Sequence, residues 1–207
     1  MTQTSFMPKN NIQKLRAKYK KIPGERFFAD VFKNKEYKAA RGVNGDVIID
    51  VGALAGEFSA YMYDKAKIIY AIEPFSVYFK ELTDNIKEFD LTKIKPFKLA
   101  LSDHNGEGNL NIKETRGAAK LTEEDDGEKV QTQTLASFIK KNNIDHINIL
   151  KIDVEGEEDK IFKSPDFKEI ADRIDFIIGE HLSSVVGVFV DLGFKQTDAE
   201  GNAVFKR

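Results

Sequence analysis

The sequence predicts a doubly wound α/β fold: a mainly parallel, seven-stranded sheet that ends in a C-terminal antiparallel hairpin. Three observations carry that expectation. Short runs rich in Ile and Val recur along the chain and alternate with segments of helical periodicity. Runs that are apolar at every position suit strands buried on both faces, and helices between them imply right-handed crossovers in a parallel sheet. A glycine-containing turn, Asp50-Val51-Gly52-Ala53-Leu54-Ala55-Gly56, joins the first run to the helix after it. Near the end, Glu200-Gly201-Asn202 separates two short stretches with strand character, the pattern of a hairpin.

Residues 1–44 read as an N-terminal helical extension and residues 45–207 as the main domain. In the extension, Ile12, Leu15 and Tyr19 recur at helical spacing among Lys14, Arg16, Lys18, Lys20 and Lys21, until Pro23 and Gly24 break the pattern. A second helix is expected over residues 26–40. In the main domain, strands are expected at 47–51, 68–72, 97–101, 147–152 and 174–178, with the closing hairpin at 194–196 and 203–205. Helices are expected at 57–66, after a Ser76 cap with Tyr78, Leu82, Ile86 and Phe89 on one face, and after a Thr134 cap with Leu135, Phe138 and Ile139. A last helix spans 185–192 and stops at Gly193. The stretch from Lys113 to Lys129, with its acidic run Glu123-Glu124-Asp125-Asp126, reads as a solvated loop.

Composition narrows the functional classes. Apolar residues make up 41% and charged residues 32% of 207 residues, enough for one buried core with a water-facing surface. A net charge of −2 gives no bulk attraction to nucleic acid or to an anionic membrane. The absence of cysteine removes disulfides, thiolate metal sites and cysteine nucleophiles. No apolar run approaches the ~18 residues that span a bilayer, and Met1 to Asn11 lacks a signal-like apolar segment, so a cytoplasmic protein without membrane partners is expected.

The turn after the first strand selects the ligand class. In open α/β sheets ligands bind beyond the carboxyl ends of the strands. A dinucleotide fingerprint needs Gly-x-Gly-x-x-Gly, but Leu54 and Glu57 occupy the positions counted from Gly52, and no Gly-Lys-Ser/Thr phosphate loop is present. What remains is Asp50, Gly52, Ala53 and Gly56, a turn open to a ligand that carries an ammonium group rather than a pyrophosphate. Glu73 stands 21 residues after Gly52, where a βαβ nucleotide site places the acid that accepts from ribose hydroxyls. Ser102 and Asp103, after the third strand, are candidates for contacts to the base. Asp153 and Glu155 close the fourth strand and Glu180-His181 the fifth, so three carboxylates and a histidine are expected at one edge of the pocket. His104 and His146 read as surface residues; Arg116 and Lys120 are candidates to line an acceptor pocket.

Taken in order, these pieces resemble the FkbM family of class I S-adenosylmethionine-dependent methyltransferases. The matching segments are Asp50-Val51-Gly52-Ala53 with Gly56, Glu73-Pro74, Leu82 with Asn85, Ala100-Leu101-Ser102-Asp103 with Gly106, Thr134-Leu135, Lys151-Ile152-Asp153-Val154-Glu155-Gly156 with Glu158, and Gly193-Phe194. The resemblance covers about residues 45–205 and implies a Rossmann-like fold, bound S-adenosylmethionine and methyl transfer to a hydroxyl of a sugar or secondary metabolite. The family usually carries asparagine where this chain has Leu54.

Methyl transfer is an in-line displacement, so holding nucleophile, methyl and sulfur in line is the main catalytic requirement. Asp153 or His181 is the expected general base, with Glu155 and Glu180 orienting it. A sharper version adds Mg2+, because Asp153, Glu180 and His181 resemble the metal site of catechol-type O-methyltransferases. Two rival readings are a nucleic-acid methyltransferase using the basic segment Lys14 to Lys21, and a non-catalytic S-adenosylmethionine-binding protein. Against the first, no Asn/Asp-Pro-Pro-aromatic sequence follows the fourth strand.

Overall fold

A computed structural model describes residues 14, 31, 37–43, 45–112, 119–122, 127–197 and 202–207. The expected helices over residues 12–40 therefore lie largely outside the described residues. A short helix, α1 (Lys38–Arg41), leads into the main domain.

The first three parallel strands are β1 (Val47–Val51), β2 (Ile68–Ile72) and β3 (Ile94–Phe97). β8 (Ile149–Ile152) and β9 (Phe176–Gly179) continue the sheet on the other side of β1. β10 (Lys195–Thr197) and β11 (Ala203–Lys206) close it as an antiparallel pair. The strand order is β10-β11-β9-β8-β1-β2-β3, with only β11 antiparallel to its neighbours. Both the seven-stranded sheet and the closing hairpin are as the sequence predicts.

Consecutive strand residues face opposite sides, so an all-apolar run feeds two cores at once. Ile48, Ile69 and Ile149 face one core, shared with Phe58 and Met62 of α2 (Glu57–Met62) and Leu82 of α3 (Ser76–Glu88). Ile49, Leu150 and Ile177 face the other. That side is covered by α4 (Leu135–Lys141), α5 (Glu158–Lys163), α6 (Pro165–Ile170) and α7 (Val186–Asp191), whose Phe138, Phe162, Phe167 and Phe189 are all buried. Helices on both faces of a parallel sheet make the fold doubly wound.

Two expectations change. The strand expected at 97–101 is two strands in different sheets. Pro96 lacks a ladder donor and sits on β3, the edge strand, paired with Ala71. The chain then crosses over, and β4 (Ala100–Leu101) pairs in parallel with β7 (Glu128–Gln133). Nor is the stretch from Lys113 to Lys129, expected as a loop, only loop where the structure describes it. β5 (Gly106–Ile112), β6 (Ala119–Thr122) and β7 join β4 in a second, four-stranded sheet ordered β4-β7-β5-β6. The acidic run at 123–126 lies outside the described residues.

Ser76 does not cap α3 with its side chain. It is the helix's first residue, and its N–H and hydroxyl both donate to the Glu128 carboxylate of β7. Glu73 Oε1 accepts from Phe75 N at 2.9 Å, so two carboxylates serve the positive helix start. Thr134 does cap α4, its hydroxyl accepting from Ser137 N at 3.1 Å. Among the described residues, no helix is long and apolar enough to cross a membrane.

Candidate functional site

A cleft open to solvent lies at the carboxyl edge of the parallel strands. Its walls come from four places. The β1 turn gives Gly52 and Leu54, the β2 exit gives Glu73 and Pro74, and the segment after β8 gives Asp153, Glu155 and Glu157. The second sheet supplies an apolar wall of Leu110, Ala119 and Leu121. Ala119 and Leu121 of that wall fall in the stretch read from sequence as a loop, Lys113 to Lys129.

The turn owes its glycines to neighbouring protein atoms. Gly52 has φ +73°, and a Cβ there would lie 1.8 Å from the carbonyl oxygen of Asp153. The close approach expected of a ligand is thus made by the β8 exit. Gly56, at φ +94°, would bring a Cβ to 2.8 Å from Leu82 Cδ1, so it packs on α3 rather than on the strand. Gly52 and Ala53 N–H both donate to Ile72 O at 3.0 Å, which ties the turn to the end of β2.

Asp50 is closed off from the cleft, contrary to its expected role with a cofactor ammonium. It has no exposed surface. Its Oδ2 accepts from Ser59 Oγ at 2.6 Å, and its Oδ1 pairs with Lys151 Nζ at 3.3 Å. The register explains the pairing, because Asp50 on β1 stands opposite Lys151 on β8. Lys151 Nζ also donates to Val51 O at 3.1 Å and Gly52 O at 2.7 Å. A lysine ammonium thus fills the place beneath the turn that the sequence reading reserved for a ligand's ammonium. Burial alone would lower the Lys151 pKa; Asp50, Asp153 and Glu73 together outweigh it and hold it above the ordinary value.

Glu73 does face the cleft and is 3% exposed. Its second oxygen, Oε2, accepts from Leu54 N at 2.9 Å, so one carboxylate links the β1 turn to the start of α3. Burial pushes its pKa up to about 7, against the lowering effect of the Phe75 and Leu54 N–H groups. Glu57, singled out by no sequence motif, is also buried, and burial pushes it up to about 8.

Beyond β8 the chain does not stay extended. Glu155 takes φ +55° and Gly156 φ +111°. Glu158 holds this bend by accepting from Val154 N at 2.9 Å and Gly156 N at 2.8 Å. Asp153 and Glu155 both line the cleft. Ser102 is buried, and its hydroxyl donates to Glu157 Oε2 at 2.7 Å. Asp103 lies outside the cleft. Its half-exposed carboxylate pairs with His104 at 2.9 Å and faces a separate open groove with Asp159 and Lys163.

Residues 50–199 match the model of the methyltransferase FkbM domain. The chain belongs to the FkbM methyltransferase family. A solved FkbM methyltransferase from Methylobacillus flagellatus KT is similar over 79% of this chain and 44% of its own, at TM-score 0.58 and 12% identity. This chain therefore spans less than half the length of that relative. The precorrin-6y C5,15-methyltransferase of Geobacter metallireducens GS-15 aligns at TM-score 0.50 and 12% identity, over 83% of this chain and 84% of its own. TrmK of M. capricolum, solved with S-adenosylhomocysteine, aligns at TM-score 0.50 and 15% identity, over 83% of this chain and 67% of its own. At such identities the likeness shows the fold. No curated protein sequence matches the chain.

In this FkbM domain the expected four-residue edge is only half gathered. Glu180 and His181 do not line the cleft. His181 has φ +55° and a side chain 64% exposed, with Nε2 3.8 Å from Glu180 Oε2. Their charges still act on Glu155. Its pKa is raised by burial first and by Asp153 next, with His181 opposing and Glu180 adding to the rise. Among the described residues, no three His, Asp or Glu side chains stand where they could hold a metal ion, so the ligand set expected for Mg2+ is not assembled. His104 and His146 are exposed, as expected, each beside an aspartate. Arg116 lies outside the described residues, and Lys120 is exposed beside Gly156.

Sequence reasoning missed Lys151 as the partner of Asp50, although a lysine inside the run Ile149-Leu150-Lys151-Ile152 was a visible signal. It also passed over Glu157, which is buried and lines the cleft. No local feature distinguishes it from an exposed one.

Proposed function

We propose that the protein transfers the methyl group of S-adenosylmethionine to a hydroxyl of a small acceptor, a sugar or secondary metabolite. The observation that carries this reading is the cleft itself. It opens at the carboxyl ends of β1, β2 and β8, with Glu73 and Asp153 on its walls. The residues present fit the cofactor. Glu73 presents a carboxylate that could accept from ribose hydroxyls, and the apolar surface of Pro74, Leu99 and Leu101 suits a flat base. When bound, S-adenosylmethionine supplies an electrophilic methyl group on a sulfonium.

The chain's own residues do the rest. Glu73 fixes the turn against α3 and accepts from ribose hydroxyls with its remaining lone pairs. Leu110, Ala119 and Leu121 exclude water from the opposite side. Asp153, on the wall beside Gly52, takes the proton of the acceptor hydroxyl as the oxygen attacks, and Glu155 orients the acceptor. His181 is less well placed for that role, because it stands outside the cleft lining.

Calorimetry with S-adenosylmethionine and S-adenosylhomocysteine tests the cofactor, and methyl release over panels of sugars, phenolic metabolites and RNA tests the acceptor. Saturable cofactor binding with transfer to a hydroxyl compound is expected. Asp153→Asn should bind the cofactor yet lose ~10²- to 10⁴-fold in turnover, the usual worth of a general base. Undiminished turnover in that variant removes Asp153 as the base. Failure to bind either cofactor form removes the reading, and RNA-dependent release replaces the acceptor.

A further inference from the structure

We propose that the acceptor is an uncharged phenol, with an apolar body and one acidic hydroxyl, and that the lining of the cleft selects it against carboxylated and phosphorylated compounds. This rests on the methyl-transfer reading above and names the substrate class of the same cleft. The observation that carries it is the chemistry of the whole lining. Among the described residues, every polar side chain on the walls is a carboxylate: Glu73, Asp153, Glu155 and Glu157. No lysine, arginine, histidine, amide or hydroxyl side chain stands among them.

An ionised carboxylate accepts hydrogen bonds and donates none. A carboxyl that keeps its proton is neutral and brings no positive charge either. The backbone adds little, because much of it is already spent on the protein. The N–H groups of Gly52, Glu73 and Asp153 donate to Ile72 O, Phe97 O and Val51 O. Those of Leu54 and Val154 donate to Glu73 and Glu158. The nearby cations stand outside the lining. Lys151 is buried beneath the turn against Asp50 and two carbonyls, Lys160 pairs with Glu157, and Lys120 lies over Gly156.

A cleft lined by one sign of charge attracts the opposite sign and repels its own. The methyl donor suits that field, because its sulfonium and ammonium outnumber its single carboxylate. A carboxylate or phosphate on the acceptor enters beside Asp153 and Glu155 with neither a side-chain donor nor a counter-charge, an arrangement that rejects a partner. A sugar is matched only in part. Each of its hydroxyls both donates and accepts, and the lining answers the donating half. A phenol presents one hydroxyl, which donates to Asp153, and a ring for the apolar surface of Leu54, Leu110 and Leu121. A phenolic hydroxyl has a pKa of about 10, far below that of an aliphatic alcohol, so it suits a carboxylate base. As the phenolic oxygen bonds to the methyl carbon, the carbon–sulfur bond breaks and its electron pair stays on sulfur. The proton goes to Asp153, and the products are an aryl methyl ether and S-adenosylhomocysteine.

Matched acceptors test this, with methyl transfer from S-adenosylmethionine as the readout. Para-cresol is set against para-hydroxybenzoate, and naphthol against hydroxynaphthoate, each pair differing by a carboxylate. Methyl glucoside and RNA are run alongside. The uncharged phenol of each pair is expected to lead in kcat/KM by about 30-fold or more. Leu121→Lys and Ala119→Lys each place a cation on the wall, on β6 at the edge of the second sheet. Either is expected to narrow the ratio about tenfold by raising transfer to the carboxylated member. A wall that serves only for packing would lose both members together and leave the ratio unmoved; the second variant stands in should the first not fold. If carboxylated phenols serve as well as uncharged ones, if the lysine variants leave the ratio as it is, or if no phenol is methylated, the assignment falls. Transfer to methyl glucoside or RNA in its place leaves methyl transfer standing. If calorimetry shows no binding of S-adenosylhomocysteine, both fall.

Discussion

Asp50 and Glu73 are buried carboxylates at the ends of adjacent parallel strands, and the protein treats them in opposite ways. Asp50 is the penultimate residue of β1, still in the ladder, so strand register sets Lys151 beside it. It becomes part of the floor, with Ser59 and Lys151 as partners and no surface exposed. Glu73 stands one residue past β2, where Pro74 ends the strand, and its carboxylate faces the cleft while gripping two backbone N–H groups. One acid is compensated by a buried cation; the other has burial working against its charge. A position one residue either side of a strand end thus decides whether an acid turns into the floor of the fold or faces the cleft.

The strongest way to break this contrast is to remove the cation. Lys151→Met leaves Asp50 charged, buried and without its counter-ion, and is expected to cost ~3–5 kcal/mol, read by denaturant unfolding. The double variant Asp50→Asn/Lys151→Met should recover a large part of that loss, because no lone charge remains. A single variant within ~1 kcal/mol of wild type would show that the floor does not depend on the pair.

The next test uses pH. Glu73 is pushed up to about 7 and Glu57 to about 8, from an ordinary value of 4.5. Raised acids favour the protonated form in the folded state. Their contribution to stability is therefore complete below pH 4.5 and is lost as pH rises towards 7 for Glu73 and towards 8 for Glu57. The protein should be less stable at pH 8 than at pH 5, by on the order of a few kcal/mol. Glu57→Gln should flatten the slope up to pH 8 and leave the part that belongs to Glu73. A slope unchanged in that variant would mean that Glu57 does not titrate in this range. Glu128 acts in the opposite sense. Although burial tends to raise its pKa, the Ser76 and Lys98 contacts prevail and hold it below its ordinary value, so its contribution is lost only on acidification.

The same contrast explains what could be read from the sequence. The seven-stranded sheet was legible because strands such as Ile48-Ile49 and Ile149-Leu150 are apolar on both faces, a pattern that local reading detects. The second sheet was not. β5 holds Gly-Glu-Gly-Asn, and β7 buries only Val130 and Thr132 among polar residues, so their pairing is fixed by contacts across the sheet rather than by composition. The site divides likewise. Glu73, Asp153 and Glu155 were found because spacing after a strand places them at the edge, and all three line the cleft. Asp50 was misassigned because its partner lies 101 residues away, and only strand register brings the two together. Glu180 and His181 end the right strand, but the left-handed turn at His181 carries them outside the lining.

Substitution on the ligand side should give a smaller effect of a different kind. Glu73→Gln keeps the volume but replaces one acceptor oxygen with an NH2, which then faces the Leu54 or the Phe75 N–H. Affinity for S-adenosylhomocysteine should fall about tenfold, the scale of one hydrogen bond to a charged group, with a modest change in melting temperature. Asp50→Asn should show the reverse, with a large melting shift at any ligand concentration. Equal losses of affinity and stability in both variants would erase the distinction between floor and wall.

The smallest expected effect lies between the two acids, at Leu54. Its N–H donates to Glu73, and its backbone sits at φ +48°, a left-handed conformation that a branched L side chain disfavours by ~1–2 kcal/mol. Asparagine tolerates that conformation, and the FkbM resemblance places asparagine in this loop. The backbone therefore supplies a physical reason for the preference that does not involve the cofactor. Leu54 also lines the cleft, so its side chain exchanges strain for an apolar wall. Leu54→Asn should raise the melting temperature by ~2–4 °C, corresponding to about 1 kcal/mol in a chain of this size. Leu54→Gly relieves the same strain without adding an amide. If glycine stabilises and asparagine does not, conformation alone is at stake; if both destabilise, leucine's packing in the cleft outweighs the strain it carries.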